Sequence, residues 1–272
     1  AAYLDARKVI LTDDHFGSAF VHYQKSYNNI RNEWKDESKT RIIIGQGFVS
    51  RFQADINPKF KLPQNVAAYS TRLNIINGGW NYSGEYAIKL NDPVGSLTTE
   101  GNNYANGNAL LSSLTYSKRG FGIIAKMHRV DHMEFRSERA AEKQYIINYI
   151  PTLTKQHTYT LLALYPSSTQ AEGEFGTQID LFYKISKGSI LGGKYGTTIG
   201  FNYSTTYQPK MTKNENYPLD STGIAYKANP FVMSDSLYWQ DINFNISKTD
   251  TNTYRCIVYS LSTGVISKGK ST

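Results

Sequence analysis

The sequence predicts an all-β fold, an antiparallel transmembrane β-barrel with about 12–14 strands in this chain. Three observations carry that expectation. Several segments alternate between apolar and polar side chains over more residues than the usual globular strand of about 5–6. Aromatic residues, above all the 21 tyrosines, stand near the ends of the apolar rows. Short turns and long polar loops tend to alternate along the chain, as they do in bacterial outer-membrane barrels.

The strands are read from period 2, which sends successive side chains to opposite faces. Residues 18–23 and 48–56 give short or noisy matches, and residues 67–75 a clearer one. Residues 80–90 set Trp80, Tyr82, Tyr86, Ile88 and Leu90 against Asn81, Ser83, Glu85, Ala87 and Lys89. Residues 110–118, 121–130 and 157–165 alternate more weakly. Residues 174–185 set Phe175, Thr177, Ile179, Leu181, Tyr183 and Ile185 against Glu174, Gly176, Gln178, Asp180, Phe182 and Lys184. Residues 195–207 are the clearest case. Tyr195, Thr197, Ile199, Phe201, Tyr203, Thr205 and Tyr207 share one face, with Gly196, Thr198, Gly200, Asn202, Ser204 and Thr206 on the other. Residues 240–248 and 255–261 complete the set. The best helical pattern, residues 138–144, is short and reads as part of a loop.

Connections follow from glycine and asparagine, which accept positive φ. Asn77-Gly78-Gly79, Arg119-Gly120 and residues 249–252 are expected tight turns, and residues 91–106, 133–143 and 208–238 long loops. Before residue 65 the alternation of short and long connections weakens, because the loops 25–40 and 57–65 are both long. Residues 1–272 read as a single domain, with no low-complexity linker and no repeat of solenoid length.

Composition narrows the classes. No stretch approaches the 18 or so apolar residues of a membrane helix. The negative mean hydropathy is compatible with a barrel, half of whose strand residues face a wet lumen. The single cysteine, Cys256, excludes an internal disulfide framework. The chain opens Ala-Ala-Tyr-Leu, which is no signal peptide, so an exported protein would be in a mature or trimmed form. There are 30 basic and 22 acidic residues, net +8. The basic residues are scattered without a nucleic-acid motif, so nucleic acid is not an expected partner. Basic loops near anionic headgroups are the better reading, with the lipid bilayer and lipopolysaccharide as partners.

Two stretches carry a family resemblance. They run Tyr149-Ile150-Pro151-Thr152-Leu153-Thr154-Lys155-Gln156-His157-Thr158-Tyr159 and Lys187-Gly188-Ser189-Ile190-Leu191-Gly192-Gly193-Lys194-Tyr195-Gly196-Thr197. The chain resembles, from about Tyr3 to Ile246, an uncharacterised family of outer-membrane β-barrel proteins from Bacteroidetes, a domain of unknown function. The resemblance implies a barrel in the outer membrane of a Gram-negative bacterium. It brings no activity and no catalytic residues. The chain departs from the usual last barrel strand, which closes on an aromatic; it ends Ser267-Lys268-Gly269-Lys270-Ser271-Thr272, which suggests part of a larger protein.

No enzyme is expected. His128 and His132 are four apart, but the zincin pattern needs Glu directly after the first His, and Arg129 stands there. On a strand the two would share a face about 13 Å apart, too far for one metal. His15, His22 and His157 are isolated, Gly-x-Ser-x-Gly is missing, and Gly192-Gly193-Lys194-Tyr195-Gly196-Thr197 lacks phosphate-loop spacing and reads as a hairpin turn. Catalytic, metal and cofactor sites are all expected to be none. The functional residues expected are polar and lumen-facing: Glu85, Lys89, Glu174, Gln178, Asp180, Lys184, Lys194 and Asn202. Trp80, Tyr82, Tyr86, Phe175, Tyr183, Tyr195 and Tyr207 are the expected interface aromatics. The glycine-rich residues 188–200 would allow curvature or close approach of a plug segment. Three functions fit: a passive channel, a non-catalytic subunit of an outer-membrane complex for secretion, assembly or glycan uptake, and a secreted β-sandwich binding carbohydrate through Trp80, Trp239 and exposed tyrosines.

Overall fold

The computed structural model describes residues 3–11, 16–25, 40–54, 63–90, 92, 94–95, 102–137, 149–155, 169–170, 172–216, 224, 226–248 and 257–264. Among them every regular element is a β-strand: β1 (Tyr3–Leu11), β2 (Phe16–Lys25), β3 (Thr40–Phe52), β4 (Asn65–Asn77), β5 (Trp80–Lys89), β6 (Val94–Gly95), β7 (Asn102–Asn103), β8 (Gly107–Lys118), β9 (Phe121–Asp131), β10 (Gly173–Ile185), β11 (Thr197–Lys213), β12 (Tyr226–Lys248) and β13 (Ile257–Gly264). Eleven of them form one sheet in the order β1-β2-β3-β4-β5-β8-β9-β10-β11-β12-β13. Every neighbouring pair is antiparallel. The two-residue strands β6 and β7 pair separately inside the loop expected at residues 91–106.

Turn chemistry sets the register where it is tightest. Asn77 pairs with Trp80, which leaves Gly78-Gly79 as a two-residue loop. Gly78 takes φ 56°, a conformation glycine adopts without a Cβ penalty. Lys118 pairs with Phe121 around Arg119-Gly120, with Gly120 at φ 80°.

The sheet differs from the closed barrel expected from the sequence. β1 and β13 each have one neighbour, so the described sheet is open. The reason is directional. Eleven antiparallel strands leave β1 and β13 running the same way, and joining them directly would make a parallel pair in an otherwise antiparallel sheet.

Strand limits also differ at three places. β1 was not expected, because its sequence YLDARKVIL mixes charge and apolar residues on both faces. β3 begins at Thr40 rather than near Phe48, since Ile42-Ile43-Ile44 hides the alternation. The loop expected at residues 208–238 is largely strand: β11 runs to Lys213 and β12 starts at Tyr226. Register shifts between Thr206 and Met211 break the period there, and Pro209 reads as a loop residue. The strand at 157–165, the helical pattern at 138–144, the turn at 249–252, Cys256, His15 and His157 lie outside the described residues, as does the side chain of His22.

The pairings sort side chains onto two faces, and their burial is the reverse of a soluble sheet. Antiparallel sheets in water bury the apolar face and wet the polar one. On β10, Gln178 and Asp180 are 4% and 9% exposed, while Ile179 and Tyr183 are 41% and 54% exposed. On β12, Asp241 and Asn243 are buried and Phe244 is exposed. The exposed apolar face continues through Ile44 and Phe48 of β3, Tyr69 of β4, Trp80, Tyr86 and Ile88 of β5, and Leu114 of β8. We call it the outer face and the polar one the inner face. An aliphatic or aromatic side chain left in water forgoes about 1.5–3 kcal/mol of burial, so an outer face of this extent is costly in water and costless in lipid.

Candidate functional site

The inner face is lined by every second residue of eight described strands and partly covered by the chain leaving β9. Residues 132–137 lie over β3–β8, and residues 149–155 reach from beside β3–β5 to β12. His132 starts this strap at φ 50°, where the chain leaves the sheet.

The strap is seated by glycines. A Cβ on Gly107 would stand 2.1 Å from the His132 backbone oxygen. One on Gly176 would stand 2.9 Å from Leu153 Cδ1 and 2.8 Å from His128 Nε2. Only glycine lets the backbone approach this closely. Met133, Phe135 and Leu153 of the strap are buried, with Ala109 and Val130 completing a small apolar cluster around Met133.

Over β3–β5 the strap satisfies buried cations. Arg51 of β3 is 1% exposed. Its Nη2 donates to Asp92 Oδ2 at 2.8 Å and its Nη1 to the Arg136 carbonyl at 2.5 Å. The Phe135 ring lies 5.4 Å from the guanidinium carbon. Lys89 of β5 is fully buried and donates to the Glu134 carbonyl at 2.6 Å. Arg136 in turn pairs with Glu134. A cavity of about 250 Å³ remains between the strap and Gly47, Ala68, Ser70, Glu85 and Leu111.

Over β9–β12 the arrangement is different. Two rows of polar side chains cross adjacent strands. Asp180, Asn202 and Asn243 lie in register in one row; Gln178, Ser204 and Asp241 lie in the next. Asp180 accepts from Asn202 Nδ2 at 2.5 Å and from Gln178 Nε2 at 2.9 Å. His128 meets Glu174 at 2.5 Å, and Glu174 also accepts from the Gln170 backbone N–H at 2.7 Å. Lys155 of the strap donates to Asn243 Oδ1 at 2.9 Å. Burial lowers the Lys155 ammonium from its ordinary value, and Asp180 and Asp241 oppose that shift.

A third cluster lies on the outer face, in register with Tyr86 and Ile88, where β8 and β9 meet the end of the β11–β12 hairpin. A cleft of about 540 Å³ is lined by Tyr86, Asn108, Arg129, Asp131, His132, Tyr226 and Phe231 among others. Arg129 donates to Asn108 and to Asp131. The His132 ring lies 5.0 Å from that of Tyr226. Burial first, and Lys89 second, push His132 down to about 4.

The structure distributes the expected site residues unevenly. Glu85, Lys89, Glu174, Gln178, Asp180, Lys184 and Asn202 share the inner face by register, though Lys184 is exposed at the strand end. Lys194 is off the strands, in the turn between β10 and β11, with its ammonium 5.8 Å from the Tyr195 ring. Tyr195 is in the same turn instead of opening β11, because Gly188, Gly193 and Gly196 take positive φ there. Of the expected aromatics, Trp80, Tyr86, Tyr183 and Tyr195 are exposed, Tyr82 and Tyr207 are half-buried, and Phe175 is buried. Trp80 and Trp239 fall on opposite faces and do not converge. His128 and His132 face Glu174 and Tyr226 respectively and are not brought together. Sequence reasoning missed Arg51, Lys155, Asp241 and Asn243 at the inner face, whereas His128 reads as a lumen or loop histidine. Period 2 carried outward from Gln178 through the pairings would have found Asp241 and Asn243; nothing local marks Lys155.

Residues 26–266 match a family of unknown function, DUF6029. The chain belongs to that family. No curated protein matches the chain. No solved structure matches it either. Its functional reading therefore rests on the two faces of the sheet.

Proposed function

We propose that this DUF6029 chain is a β-barrel protein of the outer membrane of a Gram-negative bacterium, with a polar lumen that passes or holds small polar solutes. The observation that carries the reading is the inverted burial of the sheet. Apolar side chains such as Ile179 and Tyr183 face out, while Gln178, Asp180, Asn202 and Asn243 are buried. In hydrocarbon the edges of β1 and β13 must be paired, so the closed form requires further strands between them. Strands of 10–13 residues such as β5 and β10 suit a tilted crossing of a bilayer, which needs about 9–11 residues. The outward aromatics and the resemblance of residues 149–159 and 187–197 to Bacteroidetes outer-membrane proteins support the same location.

The strap favours a second reading. A lumen face covered by its own chain suits a plugged, non-catalytic subunit of an envelope complex as well as it suits a channel. Planar-bilayer recordings separate the two. Discrete conductance steps are expected of the channel; silence, with envelope proteins co-purifying in mild detergent, is expected of the subunit. The membrane reading itself is tested by gel mobility with and without heating, together with solubility. A heat-dependent shift and a requirement for detergent are expected. No shift, with full solubility in plain buffer, overturns it.

A further inference from the structure

We propose that the cleft between β8–β9 and the β11–β12 hairpin is a carbohydrate-binding site, taking pyranose rings at the rim of the outer face. The side of the membrane it would face rests on the proposed barrel. The ligand class rests on the residues of the cleft.

The sheet contributes two rows of its outer face. Tyr86, Leu110 and Arg129 lie in register across β5, β8 and β9, and Ile88, Asn108 and Asp131 form the next row. Besides Lys118 at the far end of β8, Arg129 and Asp131 are the charged residues on the outer rows of β5, β8, β9 and β10. Ionisable residues on a lipid-facing surface are costly and mark functional sites. These two are 6% and 7% exposed and line a cleft of about 540 Å³, together with Tyr226 and Phe231 of β12. Small-molecule sites occupy about 300–1,000 Å³.

The pair is loose. Arg129 Nη2 stands 3.4 Å from Asp131 Oδ2, against about 2.7–2.9 Å for a charge-assisted bond. Asp131 Oδ1 and Arg129 Nε have no hydrogen-bond partner among the described residues. Buried polar atoms are nearly always paired, and a guest hydroxyl, donor and acceptor at once, suits both. The charges lining the cleft are Arg129 and Lys227 against Asp131, and burial keeps His132 neutral near pH 7. The set is neither an anion cage nor a cation cage. It mixes donors and acceptors with the rings of Tyr86, Tyr226 and Phe231. Planar guanidinium, carboxylate and amide groups match pairs of neighbouring hydroxyls, and an aromatic face covers the apolar C–H face of a pyranose. Tyr86 and Phe231 are exposed, so both rings are available to a guest. The cleft also sits at the end of the sheet that carries the long connections, whereas Gly78-Gly79 and Arg119-Gly120 turn at the other end. In an outer-membrane barrel the long-loop end faces outside, within reach of free saccharides and glycolipid headgroups.

The test uses an array of immobilised neutral and acidic oligosaccharides, some lipid-linked and some not, probed with the detergent-solubilised chain at neutral pH and read through an affinity tag. At least one pyranose glycan is expected to retain wild type. Retention by lipid-linked glycans alone identifies a glycolipid headgroup, and retention by both kinds a free saccharide; either supports the proposal. The retained glycan, in soluble form, is then titrated by calorimetry. Phe231→Ala removes an exposed ring and no core, and Asp131→Asn removes a charge of the pair; each should weaken binding roughly tenfold. Tyr183→Ala, an exposed outer aromatic at the other end of the sheet, should leave it unchanged. No retained glycan overturns the proposal, as does binding that survives both Phe231→Ala and Asp131→Asn. The array reads binding and the heated gel reads the barrel, so the two fail separately. A chain with the heat shift but no glycan overturns the carbohydrate site alone, and a water-soluble chain that keeps its glycan overturns only the membrane reading.

Discussion

The inner face is polar at both sides of the strap, yet its two halves are built differently. Over β3–β5 two buried cations bond to the strap or to the loop beside it. Arg51 has Asp92 and a backbone carbonyl, and Lys89 has the Glu134 carbonyl. Apolar strap residues Met133 and Phe135 are packed beside them. Over β10–β12 side chains bond mainly to one another in rows, the strap contributes one lysine, and Asn202 and Ser204 keep unused acceptors. In the first half the sheet's cations hold the strap down. In the second the sheet's own side chains hold one another, and the strap adds one contact.

The largest effect expected from this contrast is on the side of β3–β5. Arg51→Ala removes a buried partner of the Asp92 carboxylate and of the Arg136 carbonyl, and should cost about 3–5 kcal/mol in urea unfolding. A loss below about 1 kcal/mol would mean that β3–β5 is held to the strap no more firmly than β10–β12.

His132, where the strap begins, gives the pH dependence. Its folded value is near 4 against the ordinary 6.5. Above about pH 6.5 it is neutral in both states and its contribution is fully present. As pH falls from 6.5 towards 4, only the unfolded chain takes up the proton, so the contribution of His132 drops by about 2–3 kcal/mol. Two carboxyls act in the opposite sense: burial raises Asp131 to about 6 against the opposing Arg129, and burial and then Glu134 raise Glu172 above the ordinary range. The comparison is therefore between wild type and His132→Asn across that interval. The variant should lose less stability on acidification; equal losses would discard the assignment.

The glycine seats should differ next. Gly107→Ala meets strap backbone and should cost about 1–3 kcal/mol. Gly176→Ala meets side-chain ends of Leu153 and His128, which can move, and should cost less. Equal midpoints for both variants would argue against a backbone seat at Gly107. Smallest of all is Asn202→Ala over β10–β12, which removes one bond to Asp180 and an already unpartnered oxygen. About 1 kcal/mol is expected, read from the same unfolding curves.

Much of the sheet was legible in the sequence because period 2 is a local signal. Residues 80–89 and 174–185 alternate so regularly that strand, face and neighbours follow from inspection, and Gly78-Gly79 announces the hairpin between β4 and β5. The signal failed where geometry departs from that period. Ile42-Ile43-Ile44 has no alternation to read, and the register shifts after Thr206 concealed two strand ends. The strap was illegible for a different reason. Lys155, Phe135 and Met133 meet β12, β3 and β8 across long sequence separations, and no local pattern encodes such contacts. Gly107 and Gly176 were visible as glycines inside strands, but only the fold shows what approaches them.

The central claim is that the apolar face of the sheet meets lipid and the polar face does not. It is tested most directly by spin labels placed singly at positions 178 to 183 of β10, with Cys256 replaced, in protein reconstituted into liposomes. Collision with oxygen, which concentrates in lipid, and with a water-soluble nickel chelate is read at each site. The account expects oxygen access to peak at 179, 181 and 183 and to fall at 178 and 180. High nickel access at 179 and 181, or no alternation between the two sets, would contradict it.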